Sequence, residues 1–428
     1  MNTSRRNARG ELSLQTILEQ TVSLVSSYGY DGTTIARISK STGRPASSIY
    51  WYFDTKDDLV AAALESTYSR RPGDLPRWPE YTPDLPLEAQ LYRALGHEFT
   101  PAETEAPVRL GIMVALEGIA ANSPAQKPFQ ERRRLTSLHV QTWWIAATVD
   151  RVGLDRGDVA EWMTLLTLAF LDGHYISDVT ADAMPSYDRG GQMVASALTS
   201  VFEYLASRPA PLPPARVTIS SPVIKPPSIE DGAGDPLLAT TRSLVAERGY
   251  EGATLSRICA RSGVQRSSIY WRYKGKDELI HAAVTSEFLD LGATSKLPPP
   301  DGAAWLNMIA ANLQESVEVA WKSPDTVRAG LLLKLQRRDP SPLGSQAIQQ
   351  GVAQEAAALE QWITSAVELE GQHVDVNEIG WILNILREGL FLGVAFGYEY
   401  PARALSGQIL AMVQGIVAAS QQATGSRG

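Results

Sequence analysis

The sequence predicts an all-α protein made of two similar halves, each a small helical head followed by a longer helical domain. Three observations carry that expectation. First, Gly29-Tyr30-Asp31-Gly32 through Ser47-Ser48-Ile49-Tyr50-Trp51 to Lys56-Asp57-Asp58-Leu59 returns as Gly249-Tyr250-Glu251-Gly252 through Ser267-Ser268-Ile269-Tyr270-Trp271 to Lys276-Asp277-Glu278-Leu279, at an offset of 220 without a gap. A repeat of that length in 428 residues is a duplicated domain, not a solenoid period. Second, apolar residues recur at spacings of three and four, and no run alternates as a strand would. Third, a proline-rich stretch divides the chain near its middle.

The elements follow in order. Leu14, Ile17, Leu18, Val22 and Val25 form one apolar stripe of a first helix, matched in the second half by Leu237, Leu238, Thr241, Leu244 and Val245. Gly29 and Gly249 stand where a helix end favours positive φ. Thr33, Thr34 and Thr254 are candidate N-caps for a second helix, Ile35 to Ser41 and Leu255 to Ser262, which Gly43 and Gly263 end. A short third helix follows, Ala46 to Tyr52 and Arg266 to Arg272. Two short helices joined by a glycine-containing turn have the sequence shape of a helix-turn-helix. In the trailing domains Arg109-Leu110-Gly111 pairs with Arg328-Ala329-Gly330, Trp143 with Trp362 and Trp162 with Trp381, all at an offset of 219. The expected domains are therefore a first head over 1–62, a helical domain over 63–206, a linker over 207–234, a second head over 235–282 and a second helical domain over 283–428. Seven prolines (Pro209, Pro211, Pro213, Pro214, Pro222, Pro226, Pro227) make the linker a semi-rigid spacer. At roughly 3.1 Å per residue it can reach about 80–90 Å. The last two helical stretches of each half, roughly 158–178 with 190–206 and 377–398 with 402–419, are expected to form a four-helix contact between the halves.

Composition bounds the function. Hydrophobic residues make up 44%, as in an ordinary globular protein, and no apolar run approaches the roughly 20 residues of a membrane span. Cys259 is the single cysteine, so no internal disulfide or cysteine zinc cluster forms, and a cytoplasmic location is expected. The five histidines are scattered, so neither metal nor cofactor is expected. Net charge is −8, but residues 1–60 carry +1 and residues 235–280 carry +3, leaving −12 on the remainder. The repeated unit escapes the acidic excess, which leaves room for a polyanionic partner.

The pattern Gly-Tyr-x-Gly-x-Thr, then Gly, then Ser-Ser-Ile-Tyr-Trp and Lys-Asp-(Asp/Glu)-Leu, present twice, resembles the DNA-binding domain of TetR/AcrR-type repressors. The resemblance implies that the third helix of each head enters the major groove of double-stranded operator DNA. It would present Arg44, Pro45, Ala46, Ser47 and Ser48 in one head, and Gln265, Arg266, Ser267 and Ser268 with Val264 in the other. Arg pairs with guanine, Gln with adenine, and Ser hydroxyls donate or accept. Tyr50, Tyr270, Lys56, Lys276, Thr34 and Thr254 would hold phosphates, as would Trp51 and Trp271 if they do not pack inward. The basic arm Arg5, Arg6 and Arg9 is placed to reach a minor groove. Because Pro45-Ala46 is replaced by Gln265-Arg266, the expected operator is asymmetric. Ile49, Ile269, Phe53, Tyr273, Leu59 and Leu279 are read as core, and Asp57, Asp58, Asp277 and Glu278 as favouring the start of the next helix.

The resemblance also implies ligand sensing in the trailing domains, with a small apolar or amphipathic effector releasing a repressor. Trp143, Trp144, Trp162 and Phe170 in one half, and Trp305, Trp362 and Trp381 in the other, are the candidate pocket residues, although aromatics at helical spacing are more often plain core. The expected assembly is a monomeric pseudo-dimer, with a dimer of fused chains as the alternative. An enzyme is not expected, since no glycine-rich phosphate loop, nucleophile elbow or Cys/His pair is present. The rival reading is a ligand-sensing or protein-docking module in which one head no longer binds DNA. Asp54 of the first head, where the second has Lys274, is the feature that favours it.

Overall fold

The computed structural model describes residues 2–69, 78–95, 105–117, 124–177, 187–209, 211–213, 235–371, 374–398, 401 and 404–425. Among them every regular element is helical, as the periodicity implies. The first half contains α1 (Asn2–Gly32), α2 (Ile35–Thr42), α3 (Ala46–Tyr50), α4 (Lys56–Ser69), α5 (Leu87–Leu95), α6 (Glu105–Leu116), α7 (Lys127–Arg151), α8 (Gly157–Ile176) and α9 (Tyr187–Ser207). The second repeats the order as α10 (Pro236–Gly252), α11 (Leu255–Ser262), α12 (Arg266–Arg272), α13 (Lys276–Asp290), α14 (Trp305–Lys322), α15 (Pro324–Leu335), α16 (Leu343–Glu370), α17 (Val376–Ala395) and α18 (Leu405–Gly425). Of the proline-rich segment only 207–209 and 211–213 are described; there Leu212 N donates to Asp158 and Trp162 Nε1 to Pro213 O.

The halves join where the four-helix contact was expected: α8 packs on α17 and α9 on α18. Small residues make this possible. Gly173 lies against the backbone of Ile385 and Gly389 against that of Ala169, where an added Cβ would collide with a carbonyl. Ser196 Oγ donates to Gly415 O at 3.3 Å. Those two positions differ by 219, the sequence offset of the trailing domains, so equivalent residues face each other across a pseudo-twofold axis. Polar ties cross the same surface. Arg189 pairs with Glu378 at 2.9 Å and donates to Ala419 O. Arg133 grips the Asp172 carboxylate and donates to Tyr398 Oη of the other half at 2.6 and 2.9 Å.

The two heads are anchored unequally. The interior of the second head (Leu255, Ile258, Ile269, Leu279) is continuous with the core that fills both helical domains. The first head instead closes over a separate cluster of Ile17, Ile38, Ile49 and Leu59, and reaches α6 through a second small cluster that includes Val25, Leu64, Leu110 and Val114.

Candidate nucleic-acid interface

Local chemistry shapes each head. Thr34 Oγ1 accepts from Arg37 N at 3.2 Å and Thr254 Oγ1 from Arg257 N at 3.3 Å, so both threonines cap the second helix. Gly43 and Gly263 then turn the chain with φ of 65° and 72°, in open space that makes the backbone conformation alone the reason for glycine. The third helices start after extended Pro45 and Gln265. Ile49 and Ile269, both fully buried, pin them down; each such side chain contributes about 1.5–3 kcal/mol. Thr55 and Asp58 cap the fourth helix of the first head reciprocally, at 3.1 and 3.2 Å.

Pinning one face leaves the other outward. Arg44, Pro45, Ser47, Gln265, Arg266, Ser267 and Ser268 are exposed, while Ala46 and Ser48 are half-buried. Tyr50 and Tyr270 are about half exposed, and the Arg266 guanidinium lies 5.8 Å from the Tyr270 ring centroid. Trp51 and Trp271 are 79% and 87% exposed, which excludes a packing role within the described structure. Thr34 and Thr254 are also exposed. Phe53 and Tyr273 are half-buried against the head interiors, and Leu59 and Leu279 are fully buried. The side chains of Arg5, Arg6 and Arg9 lie outside the described residues, as do His97 and His373.

Lys56 and Lys276 are placed differently from their neighbours. Lys56 Nζ donates to Tyr30 O at 3.0 Å and lies 3.6 Å from the Tyr30 ring centroid; Lys276 Nζ donates to Tyr250 O at 2.8 Å and lies 4.0 Å from the Tyr250 ring centroid. Burial lowers both ammonium pKa values, opposed by Asp31 and Glu117 at Lys56 and chiefly by Glu251 at Lys276. These lysines brace the first helix against the fourth instead of extending beside the tyrosines. Asp57 likewise accepts from Tyr30 Oη.

The aromatic residues expected around an effector are core. Trp143, Trp144, Trp162, Phe170, Trp305 and Trp381 are each at most 5% exposed, and Trp362 is half-buried. Trp144 donates to Thr167 and Trp362 to Pro298 O. A cavity in the first half is lined instead by Phe129, Arg132, Arg133, Thr136, Leu171 and Tyr175, and one in the second half by residues including Asn312, Asn384 and Arg387. Helical spacing marks which side chains face inward, and not where the packing leaves a gap.

Sequence reasoning also missed a charged junction between the heads. The ends of α1 and α10 pack together, and Asp31 pairs with Arg248 and Arg257, each at 3.2 Å. Glu117, just past α6, accepts from Asp31 N at 3.1 Å and packs against both Gly29 and Gly249. Burial pushes its carboxyl up to about 8. Periodicity carries no signal for contacts between segments so far apart in sequence.

Comparison with known proteins converges on the same two segments. The family described as "Bacterial regulatory proteins, tetR family" matches residues 17–63 and again 237–283. The biofilm operon icaADBC HTH-type negative transcriptional regulator IcaR of Staphylococcus epidermidis is 34% identical over 53 residues, which is 12% of this chain and 29% of that protein. The chain thus spans less than a third of that relative's length. No described helix is long and apolar enough to cross a membrane. The chain thus carries two segments, one in each half and each folded as a helix-turn-helix head, that match the tetR family of bacterial regulatory proteins.

Proposed function

We propose that the chain is a sequence-specific transcriptional regulator that reads an asymmetric two-part DNA site with two heads on one polypeptide. The observation that carries this reading is the matched pair of exposed edges. Each presents an arginine, serines and a tyrosine–tryptophan pair above a buried isoleucine, and the two differ at Pro45-Ala46 against Gln265-Arg266. Arg266 can pair bidentately with guanine and Gln265 with adenine, while the first head offers only Arg44 and the serines for such bonds. Tyr50, Tyr270, Trp51 and Trp271 then serve as phosphate and sugar contacts. Lys56 and Lys276 act indirectly, by holding the first helix under the tyrosines.

Negative regulation is supported by the staphylococcal relative, which is a negative transcriptional regulator. Release by a small amphipathic effector rests on the resemblance of the heads; the cavity beside Arg132 and Arg133, walled by α6, α7 and α8, encloses about 40 Å³ and would have to widen to admit one. The test is selection of bound sequences from a random DNA pool, then titration of the best site against salt. Two unlike half-sites about one helical turn apart, with affinity falling steeply as salt rises, are the expected result. Equal affinity for a palindrome of either half-site would defeat the asymmetric reading. Enrichment of a single half-site would mean that one head is silent.

A further inference from the structure

The two heads touch each other, and the contact is built from charge contributed by all four parts of the chain. Asp31 of the first head pairs with Arg248 and Arg257 of the second. Glu251 of the second head pairs with Arg338 at 2.8 Å, from the loop that follows α15, and Lys276 lies 3.8 Å away. The Arg338 guanidinium lies 5.5 Å from the Tyr28 ring centroid of the first head and 5.7 Å from the Tyr250 ring centroid of the second. The neighbouring Arg337 N donates to Ser26 O of α1 at 2.9 Å. From the opposite half, Glu117 meets both Gly29 and Gly249. Gly32 and Gly252 leave no room for a Cβ, with Glu251 and Asp31 respectively in the way. Side chains of each head thus pack directly on a glycine of the other.

We propose that this junction is a clamp that sets the distance and angle between α3 and α12, and thereby the half-site spacing that the chain accepts. The inference rests on the DNA-reading proposal and adds to it the residues that decide spacing. The mechanical link is direct. Arg37 donates to Gly32 O at 2.6 Å and Arg257 to Gly252 O at 2.7 Å, so each reading unit is tied to the end of its own first helix. Where those two ends are fixed together, the reading edges are fixed too. The clamp is also specific to the fused chain. At the repeat offsets Arg248 corresponds to Tyr28 and Glu117 to Gln336. A symmetric pair of first halves would lack Arg248, keep Arg37 in the place of Arg257, and bring two Glu117 carboxylates to one junction, a like-charge arrangement that low-dielectric surroundings penalise. Divergence of the two halves has removed that conflict.

The experiment uses the full chain and duplexes carrying the selected half-sites with one or two base pairs added or removed between them. The wild-type chain is expected to lose about tenfold in affinity or more per base pair of change, comparable with a mismatch in a half-site. Asp31→Asn combined with Arg338→Met should flatten the profile to under about threefold, with affinity at the native spacing nearly unchanged. An equally steep profile in the folded double variant would overturn the clamp. A second readout needs no DNA. Spin labels at Lys40→Cys and Ala260→Cys, in a Cys259→Ser background, should give a narrow distance distribution in the parent chain and a broad one in the double variant. A distribution that stays narrow also overturns the clamp. If the double variant does not fold, Arg248→Gln alone, at a 45% exposed side chain, should broaden the distribution. A chain that binds no selected DNA would defeat the DNA-reading proposal, while the spin-label result would still decide the clamp.

Discussion

At the scale of single residues, the two heads separate groups left in solvent from groups that hold the fold. Ile49 and Ile269 are buried so that the side chains one turn away can stay in solvent, and the Arg266 guanidinium beside the Tyr270 ring is the most discriminating group that arrangement exposes. Arg266→Ala should weaken binding by about 1–3 kcal/mol and relax base preference at one position of the second half-site only. Competition binding with single-base variants of that half-site measures both effects. Glu117 supplies a different test. Its carboxyl faces Asp31, Lys56 and the turns at Gly29 and Gly249, and burial lifts it from 4.5 to about 8. The folded chain therefore keeps a proton that the unfolded chain releases between those values. This contribution to stability is fully present below about pH 4.5 and is lost as pH rises toward 8, by on the order of 1 kcal/mol per unit. Glu117→Gln keeps an acceptor for Asp31 N and cannot ionise. Relative to this variant, the wild-type chain should lose thermal stability from about pH 5 to pH 8 and hold level above it.

At the scale of elements, the same helix-turn-helix unit is seated in two ways. Head two shares its interior with the large common core, and α13 is further tied to α16 by Leu343 N donating to Asp277 at 3.0 Å. Head one rests on one small cluster of its own and a second that it shares with α6. Opening free energy follows the apolar area that must be exposed, so the first head should open locally at lower cost. Hydrogen exchange should show faster exchange across α2 and α3 than across α11 and α12 in the DNA-free chain. Equal protection would show that the continuity of the core does not govern head stability. The elements of the heads were legible in the sequence because their signals are local. Threonine caps, glycine turns and the buried isoleucine each act within a few residues, and the second helix of the second head, Leu255–Ser262, begins and ends where its cap and glycine imply. The short helices α3 and α12 were legible for the same reason, although α3 closes at Tyr50, two residues short of the expected Tyr52.

At the scale of the whole molecule, the fused chain already contains the contact surface that a pair of separate chains would have to find. The four helices α8, α9, α17 and α18 bury glycine and serine at the axis and place Arg189–Glu378 and Arg133–Tyr398 across it. One chain of 46.5 kDa should therefore occupy one two-part site. The mass of the complex with its selected duplex, from light scattering, checks this. A mass corresponding to two chains per duplex would mean that fused chains pair again.

By itself the sequence determined that the chain is helical, that it is double, and which short helices carry exposed arginine, serine and aromatic groups. Each of those follows from periodicity, repetition or a cap, all of which are written in neighbouring residues. Tertiary structure alone decided that a cavity is left beside Arg132 and Arg133 and not among Trp143, Trp144 and Trp162. It also decided that Lys56 and Lys276 turn back onto tyrosine carbonyls, and that Asp31, Arg248, Glu117 and Arg338 meet between the heads. These outcomes depend on which surfaces come together once the halves dock. Residues from 26 (Tyr30 and Lys56) to 310 (Tyr28 and Arg338) positions apart are brought into contact by packing, and no local pattern encodes that meeting.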